Sequence, residues 1–540
     1  MAGAAAVLRS ARLAPGDVST SRGAGWNTAH GTGRLGVAND TTRQTDDVVY
    51  ALAMRALDAA RSAGAGYADV RLTRTRSQRF LSGAPAMDGE RIAVGVRALI
   101  DGCWGFAASP DWTMEEMARL GRTAATQAQV NHWGVPHAVQ LGAPIPVASG
   151  TWTTPHVRDP FAVADEEKMD YIRAAEAYVS TFRYATASSS IAFTRQERTF
   201  ASTDGAFCTQ LLYTALGEGS YFSVDTYDSV INQGGTRMAE CCRPIAGGYE
   251  MLTDTGLLDA IPTLYDDARR QHTAVPIRSG RYDVVFDAAA MAEILSGSIG
   301  LATEIDRVRG FEANAGGTSY LAPSESALGA HLYAPLLSVT ANRSHPTGAA
   351  SVRWDDDGVV PDDFTIVDHG VLLDYATSRE HVTTLAQWYQ SRATPLHSHG
   401  CAWSGSASDI SLVHTPNLCM TPGAHDIGFE ELVATVKQGV AVIGGRCRMD
   451  YRQLTGRGQG DVVYEIKNGA LGTVLAGGSY FLRSPEFWNN VITLGGTRSL
   501  RWRGMDATKG EPSQQTSYSV GAVPALVRNV LLVNESGSSG

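Results

Sequence analysis

Residues 282–306 constrain this chain more than any other segment, because a strand here runs directly into a long apolar helix. The letters YDVVFDAAAMAEILSGSIGLATEID predict a strand over 282–286 and a helix over 288–305. Gly297 and Gly300 fall inside the helix. Each costs about 1 kcal/mol relative to alanine in a helix interior. They indicate either a close approach by another backbone or a distortion built into the helix.

Further blocks of sequence lie on both sides of this segment. They are AGAGYADVRLTRTRSQRF (63–80), VGVRALIDGCWGFAAS (94–109), DDDGVVPDDFTIVDHGVLLDYATSREHV (355–382), HTPNLCMTPGAHDIGFEELVA (414–434) and VGAVPALVRNVLLVN (520–534). In this order they resemble the TldD/PmbA family, also described as modulators of DNA gyrase, which are metallopeptidase-related proteins. The resemblance runs from about Asp47 to Asn534.

The departures from the family pattern fall on its metal site. Active members hold a metal through an HExxxH motif on this helix and a cysteine near the C-terminus. The matching positions here are Ser296, Gly297, Leu301 and Gly510, and no cysteine follows Cys447. Serine, glycine and leucine do not ligate zinc, and without the glutamate the general base is absent. The resemblance therefore implies a member that lacks HExxxH and has lost its ancestral zinc site, and no cofactor is expected.

Other residues near the motif are candidates for lining a cleft. Ser298 lies inside the motif, while Glu304 and Asp306 follow it. The resemblance implies that Glu304 and Asp306 oriented metal ligands in an ancestor. In this chain the alternative is that they cap the helix or pair with Arg307 and Arg309.

A second group of metal-type side chains lies outside the motif. His397, His399 and Cys401 alternate, so an extended strand would place all three on one face. The alternative interpretation is a polar loop or strand edge. The acidic run 355–357 similarly suggests either a cation or amine site, or a turn whose carboxylates accept backbone N–H groups.

Composition narrows the class of protein. The net charge of −10 argues against a broad nucleic-acid surface. No apolar run is long enough for a membrane span. The seven cysteines are scattered, odd in number and without a CxxC pair, so a disulfide framework is not expected. These features predict a cytoplasmic protein.

The chain is predicted to have an α+β fold in three parts. Residues 1–45 form a flexible arm, rich in small and polar residues. Residues 46–275 form an N-terminal α/β-type domain, which begins with a helix capped by Asp46 or Asp47. Residues 276–540 form a β-rich C-terminal domain built around the central motif helix.

Three hypotheses for function remain open, as does whether the chain is an enzyme. The first is a catalytically silent subunit, a pseudoenzyme that completes a dimeric peptide-binding cleft. It would support proteolysis or maturation by a metal-bearing partner in a peptide or natural-product pathway. The partner would be a TldD-like sibling with intact HExxxH or a second copy, and the ligand an extended peptide. The second is a repurposed enzyme that uses the same cleft for non-zinc chemistry, and the third is a standalone binding or scaffold protein.

Overall fold

A computed structural model describes residues 40–131, 138–143 and 147–535 of the chain. The predicted flexible arm, residues 1–45, lies outside the described residues except for its last six. The first helix, α1 (Asp40–Ser62), begins ahead of the predicted capping pair Asp46 and Asp47. Residues 41–45 contain neither glycine nor proline, so nothing in them stops the helix. The chain forms two units, Met1–Ala51 and Leu52–Gly540, and all of the sheets belong to the second.

A nine-stranded sheet dominates the part of the chain before residue 250. Its strands are β1 (Tyr67–Leu81), β2 (Met87–Ile100), β3 (Cys103–Ser109), β4 (Ser149–Thr153), β5 (Ala185–Ser202), β6 (Phe207–Ala215), β7 (Tyr221–Asp228), β8 (Gln233–Met238) and β9 (Ile245–Ala246). The main path is β3-β2-β1-β5-β6-β4, antiparallel except for the pair β4 and β6. The sequence predicts a hairpin turn at Asp101-Gly102, because an Asp-Gly pair favours a two-residue connection. This turn joins β2 to β3, and both residues have the positive φ that a tight hairpin requires.

The other helices of this region are α2 (Met114–Asn131), α3 (Asp165–Val179), α4 (Glu250–Asp254) and α5 (Leu257–Arg270). Short 3₁₀ turns lie at Pro160–Ala162 and Gln271–Thr273. The sequence predicts one helix over 251–270 with an interruption at Pro262, and this prediction is wrong in its detail. The break falls at Gly256, where φ is 73°, and Pro262 lies inside α5.

The remaining sheets have ten, six and two strands. The ten-stranded sheet consists of β10 (Val275–Pro276), β11 (Gly280–Phe286), β18 (Gln438–Ile443), β19 (Arg446–Met449), β20 (Thr455–Gln459), β21 (Val462–Lys467), β22 (Ala470–Ala476), β23 (Gly478–Arg483), β24 (Val491–Leu494) and β27 (Ala525–Asn534). The six-stranded sheet consists of β12 (Val339–Asn342), β13 (Phe364–Asp368), β14 (Val371–Leu372), β17 (Asn417–Met420), β25 (Arg501–Lys509) and β26 (Gln514–Ala522). The smallest sheet pairs β15 (Ala402–Trp403) with β16 (Leu412–Val413).

The helices after residue 275 are mostly short. They are α6 (Ala288–Leu295), α7 (Ile305–Val308), α8 (Ser324–Ala327), α9 (Ala386–Ser391), α10 (Phe429–Ala434) and α11 (Ser484–Asn489), with a π turn at Ser296–Gly300 and 3₁₀ turns at Leu301–Thr303, Val382–Leu385 and Thr497–Ser499. The predicted boundary between 275 and 276 lies at β10, where strands of the second set of sheets begin. We keep that boundary as a proposal.

Helix α6 lies between the ten-stranded and six-stranded sheets. It packs against β18 and β19 on one side and against β25 and β26 on the other. Apart from Glu293 its residues are apolar, and most of its side chains are buried in the main hydrophobic core. The order of elements and the mixture of helix and sheet confirm the predicted α+β class. In the described residues, no helix has the length and apolar character that crossing a bilayer requires.

Candidate functional site

The motif helix starts at a fixed cap. The Oδ1 atom of Asp287 accepts the backbone N–H of Ala290 at 2.8 Å, as an N-cap does. It also accepts the N–H of Gly444 at 2.9 Å, which ties the start of α6 to the end of β18. The chain therefore enters the motif from an anchored, buried position.

The predicted distortion of this helix is present as a π turn. α6 ends at Leu295, Ser296–Gly300 form the π turn, and the backbone N–H of Leu301 donates to the carbonyl of Ser296. On a regular α-helix, residues five apart lie about 140° apart around the axis. The i to i+5 hydrogen bond of a π turn brings them towards the same side. The geometry that would suit a pair of ligands at 296 and 301 is therefore kept without the ligands.

The serine hydroxyls of the motif already form hydrogen bonds with other residues. Ser296 Oγ lies 2.6 Å from the hydroxyl of Tyr518. Ser298 Oγ donates to the carbonyl of Ile294 at 2.5 Å and accepts the indole N–H of Trp488 at 2.9 Å. Both serines are buried, at 5% and 0% exposure. Neither hydroxyl faces an open cleft, so neither is placed to act as a nucleophile.

The glycine positions of the motif are filled by neighbouring side chains. A Cβ atom at Gly297 would lie 2.7 Å from Cγ of Met449, and one at Gly300 would lie 2.7 Å from Cδ1 of Leu418. The close approach that the glycines suggested is thus made by side chains. At Gly510, φ is 82° and a Cβ atom would lie 2.8 Å from Leu412. Gly510, the counterpart of the family's cysteine, therefore has a left-handed backbone conformation and little free space for a side chain.

A buried ion cluster follows the motif. Lys509 Nζ lies 2.9 Å from Glu304 and 2.8 Å from Asp306, and it also donates to the carbonyl of Val413. Arg307 donates to Glu304 at 3.2 Å. The side chains of Glu304, Asp306 and Lys509 are at most 3% exposed. The predicted pairing of Glu304 with Arg307 is present, and the main cation is Lys509.

Charge compensation sets the protonation of this cluster. Burial disfavours the ionised form of Glu304, but Lys509 and Arg307 outweigh it and lower the pKa of Glu304 to about 2. Burial and Lys509 together lower the pKa of the neighbouring His414 to about 4. His414 is fully buried and its Nδ1 lies 3.1 Å from Thr516 Oγ1. At neutral pH the cluster is thus charged and internally balanced, with a neutral histidine beside it.

The family's zinc does not fit this site. Positions 296, 301 and 510 offer no zinc donor, and Met449 occupies the space beside Gly297. The carboxylates that follow the motif, Glu304 and Asp306, are neutralised by Lys509 and Arg307. A dication beside that ammonium group would also be repelled. We therefore derive no metal-dependent step at the motif helix.

The second candidate group is only partly brought together. His397 Nε2 and His399 Nδ1 each lie 2.9 Å from an oxygen of Asp362. Cys401 is fully buried, its Sγ lies 3.9 Å from the carbonyl of His399, and burial raises the pKa of its thiol to about 12. Residues 397–400 form no strand, and Gly400 has φ of 70°. That left-handed residue turns Cys401 away from the two histidines.

The acidic run 355–357 serves mainly as a structural turn. Asp355 Oδ1 accepts the backbone N–H groups of Asp357 and Val359 at 2.9 and 2.8 Å, as the turn interpretation expects. The other carboxylates pair with arginines of β1, β2 and β5, namely Asp356 with Arg71 and Arg198, and Asp357 with Arg97. The turn therefore joins the loop before β13 to the nine-stranded sheet.

An open cleft of about 500 Å³ lies on the face of the ten-stranded sheet. A row of cross-strand partners runs along it, in the order Arg448, Arg457, Phe481, Leu531 and Arg281. Two further arginines, at 483 and 528, also line the cleft. Like charges directly opposite each other, as at 448 and 457, are destabilising in a sheet. Asp450 and Glu486 also line the cleft, and Arg457 is paired with Glu535, so the arginines exceed the carboxylates and suit an anionic ligand.

Several residues that shape these sites carry no signal in the sequence. Lys509, Tyr518 and Met449 lie far along the chain from the motif they fill, and Asp362 lies 35 residues before His397. Only the position of Lys509 next to Gly510, the counterpart of the family's cysteine, marks it as a neighbour of the site.

Comparison with known proteins agrees with the sequence resemblance. Residues 279–530 match the family model of the PmbA/TldA metallopeptidase C-terminal domain. A metalloprotease from Methanothermobacter thermautotrophicus is 25% identical over 402 residues, which cover 70% of this chain and 77% of the relative.

Solved structures share the fold over nearly their whole length. A proposed modulator of a DNA gyrase from Thermotoga maritima has a TM-score of 0.67 at 16% identity, covering 89% of this chain and 99% of that one. TldE from Thermococcus kodakarensis has a TM-score of 0.67 at 12% identity, covering 88% and 98%. The family model thus makes residues 279–530 similar to the PmbA/TldA metallopeptidase C-terminal domain, and the solved structures show that the chain has the fold of these proteins.

Proposed function

We propose that this chain is a catalytically silent TldD/PmbA-like subunit. It completes a dimeric peptide-binding cleft and supports proteolytic or maturation chemistry carried out by a metal-bearing partner. The partner is a TldD-like sibling with an intact HExxxH motif, and the ligand is a peptide in extended form. The free state of all seven cysteines suits a reducing compartment, and we place this work in the cytoplasm.

One observation carries the silent role: the motif site is filled rather than vacant. Tyr518 holds Ser296, Met449 occupies the space beside Gly297, and Lys509 neutralises the carboxylates that follow. An active site that has merely lost its ligands would keep room for substrate and water. Here the space is used for packing and for internal ion pairs, which supports a structural role for the motif helix.

The surface that best suits a peptide is the arginine-lined cleft with its edge strand. β19 ends the strand order of the ten-stranded sheet, and its residues Arg448 and Met449 line the cleft. An edge strand accepts an extended peptide by strand addition. Carboxylates of such a peptide, or its C-terminus, would pair with the arginine row. Met449 also lies against Gly297, so the cleft and the motif helix share one side chain.

The serines of the motif give no support to the repurposed-enzyme hypothesis. The hydroxyls of Ser296 and Ser298 are buried and hydrogen-bonded, and no described base lies beside them in an open cleft. The scaffold hypothesis differs in its prediction, because a standalone binding protein would work without a metal-bearing sibling.

Co-expression with a sibling that carries HExxxH tests the proposal. We expect a stable dimer by light scattering, with an interface well above the ~1,000 Å² that separates biological from lattice contacts. Peptide hydrolysis should require both chains. It should be lost when the sibling's motif glutamate becomes glutamine, and it should persist when this chain carries Ser296→Ala. Hydrolysis by this chain alone, or a chain that stays monomeric beside the sibling, would contradict the proposal.

Substitutions in the cleft locate the peptide. Arg448→Glu with Arg457→Glu should raise the KM for an acidic peptide by at least about tenfold, since two charge-assisted contacts are lost. Arg122→Glu, an exposed arginine on α2, is the matched control and should leave KM unchanged. An equal effect of both changes would mean that general electrostatics, and not this cleft, attracts the peptide.

A further inference from the structure

Three ligand atoms converge away from the motif helix. His397 Nε2 lies 2.9 Å from Asp362 Oδ2, and His399 Nδ1 lies 2.9 Å from Asp362 Oδ1. The three ligand atoms all lie within 4.8 Å of one another. Asp362 stands just before β13, while both histidines belong to the loop before β15. The fold, and not local sequence spacing, assembles this set.

In each histidine ring, the nitrogen that faces away from Asp362 already has a hydrogen-bond partner. His397 Nδ1 lies 3.0 Å from the carbonyl of Pro395, which can only accept, so this nitrogen carries a proton. Its Nε2 faces the carboxylate of Asp362 and would release its proton when it binds an ion. His399 Nε2 lies 3.2 Å from Asp374 and 3.0 Å from the hydroxyl of Tyr389. Those oxygens hold the proton on Nε2, and Nδ1 faces Asp362. Metal-binding histidines have this arrangement, in which the second nitrogen donates to a carbonyl or a carboxylate.

The site is rigid on one side and open on the other. The ring of His399 is buried and stacks on Phe364 with centroids 3.8 Å apart and planes 7° apart. The side chains of His397 and Asp362 are 38% and 39% exposed. An ion held by all three residues would therefore face solvent and keep open positions for water or another ligand. Asp362 and Asp374 supply negative charge that balances a dication.

We propose that Asp362, His397 and His399 form a divalent transition-metal site in this chain. Two imidazoles and one carboxylate are the donors that zinc, cobalt(II) and iron(II) accept. Asp374 is a positioning residue that orients His399. The site is distinct from the family's motif position, because it shares no residue with the π turn or with Gly510. Without an ion, the same contacts would form only a hydrogen-bonded clamp between two loops.

Cobalt(II) titration of the full-length, tag-free chain separates these cases. After chelator treatment and dialysis, the chain should bind one Co²⁺ per molecule and show visible d–d absorption, and Zn²⁺ should displace it. His397→Ala should abolish the absorption. The side chain of His397 is partly exposed, so the variant should keep the circular dichroism of the parent. Absence of saturable Co²⁺ binding to the parent, or unchanged binding to the folded His397→Ala variant, would overturn the proposal.

Two further variants sharpen the result. His369→Ala is the matched control, because His369 Nδ1 lies 2.7 Å from Asp368 in an exposed pair that lacks a second histidine. It should leave binding unchanged. Asp374→Asn should weaken Co²⁺ binding by about 10- to 100-fold, as loss of an outer carboxylate does. Full-strength binding in Asp374→Asn together with loss in His369→Ala would place the ion elsewhere and refute the assignment.

Discussion

The motif site and the His–Asp cluster form a contrast within one chain. The motif site comprises residues 296–301 with Tyr518, Met449 and Lys509. It has the backbone distortion that would suit a pair of metal ligands, but it has no metal-donor atoms. The His–Asp cluster, comprising Asp362, His397 and His399, has donors on irregular loops. In the first, every polar group named above has an internal partner and little solvent contact. In the second, two of the three side chains are more than a third exposed. Backbone geometry can therefore persist after its chemistry is lost, whereas a set of donors can form without the motif.

Removal of the central charge from each region should give the largest difference. Lys509→Met leaves buried Asp306 without its cation and Glu304 with Arg307 alone, and should lower the unfolding free energy by about 3–5 kcal/mol. Asp362→Asn removes a partly exposed partner and should lower it by at most about 1 kcal/mol in chelator. Urea unfolding monitored by circular dichroism measures both. Lys467→Met, which removes an exposed ion pair with Glu465, is the control and should change little. Equal losses would show that the motif site is not the more tightly balanced region.

Acid should destabilise the motif site through His414. Its pKa in the folded chain is about 4, below the ordinary value, because of burial and Lys509. The unfolded state therefore binds more protons between about pH 6.5 and 4, and stability falls as pH drops through that window, by up to about 3 kcal/mol. The pKa of Glu304, lowered to about 2, adds a further loss below about pH 4.5.

His414→Phe separates the two titrations. Unfolding free energies measured from pH 7 to pH 4.5 should become nearly flat in this variant, while the fall below pH 4.5 should remain. His369→Phe on the surface should reproduce the parent curve. A parent curve that is already flat above pH 4.5 would mean that His414 is not a neutral buried group.

A return of the family's glutamate should meet steric resistance. Gly297→Glu places a Cβ atom 2.7 Å from Met449 Cγ and should destabilise the chain by about 2 kcal/mol. Met449→Ala in the same chain should recover much of this loss, and a double-mutant cycle measures the coupling. Additive effects would mean that Met449 does not fill the motif.

Restoring the family's four motif residues tests whether Met449 and Lys509 also prevent metal binding. A chain with Ser296→His, Gly297→Glu, Leu301→His and Gly510→Cys should gain no second metal ion while Met449 and Lys509 are present. Elemental analysis beside the parent chain measures this. A gain of one further ion per chain would show that donors alone were missing.

The smallest effect should come from the motif hydroxyl. Ser296→Ala removes one hydrogen bond to Tyr518 and should cost about 1 kcal/mol of stability. The peptide hydrolysis supported by the sibling should be unchanged. If activity is lost in a variant that stays folded and dimeric, the repurposed-enzyme hypothesis replaces the silent-subunit proposal.

Patterns that depend on neighbouring residues were readable from the sequence. The strand before the motif, the apolar helix, the Asp101-Gly102 hairpin and the backbone-accepting turn at Asp355 follow from residue type and spacing, and the structure contains each of them. Boundaries were less predictable. Several residues could have begun α1 or interrupted the helix near 256, and tertiary packing decided which of them did so.

The sequence alone determined that the motif positions carry no zinc donor, because ligand chemistry belongs to the side-chain type. It also offered a distortion of the helix at 296–301 as one of two interpretations of Gly297 and Gly300, and the structure contains that distortion. Tertiary structure decided which side chains fill the motif and where other metal-type donors meet. Lys509, Tyr518 and Met449 reach the motif, and Asp362 reaches the two histidines, only because distant strands and loops are brought together. Such contacts depend on three-dimensional distance, which spacing along the chain does not encode.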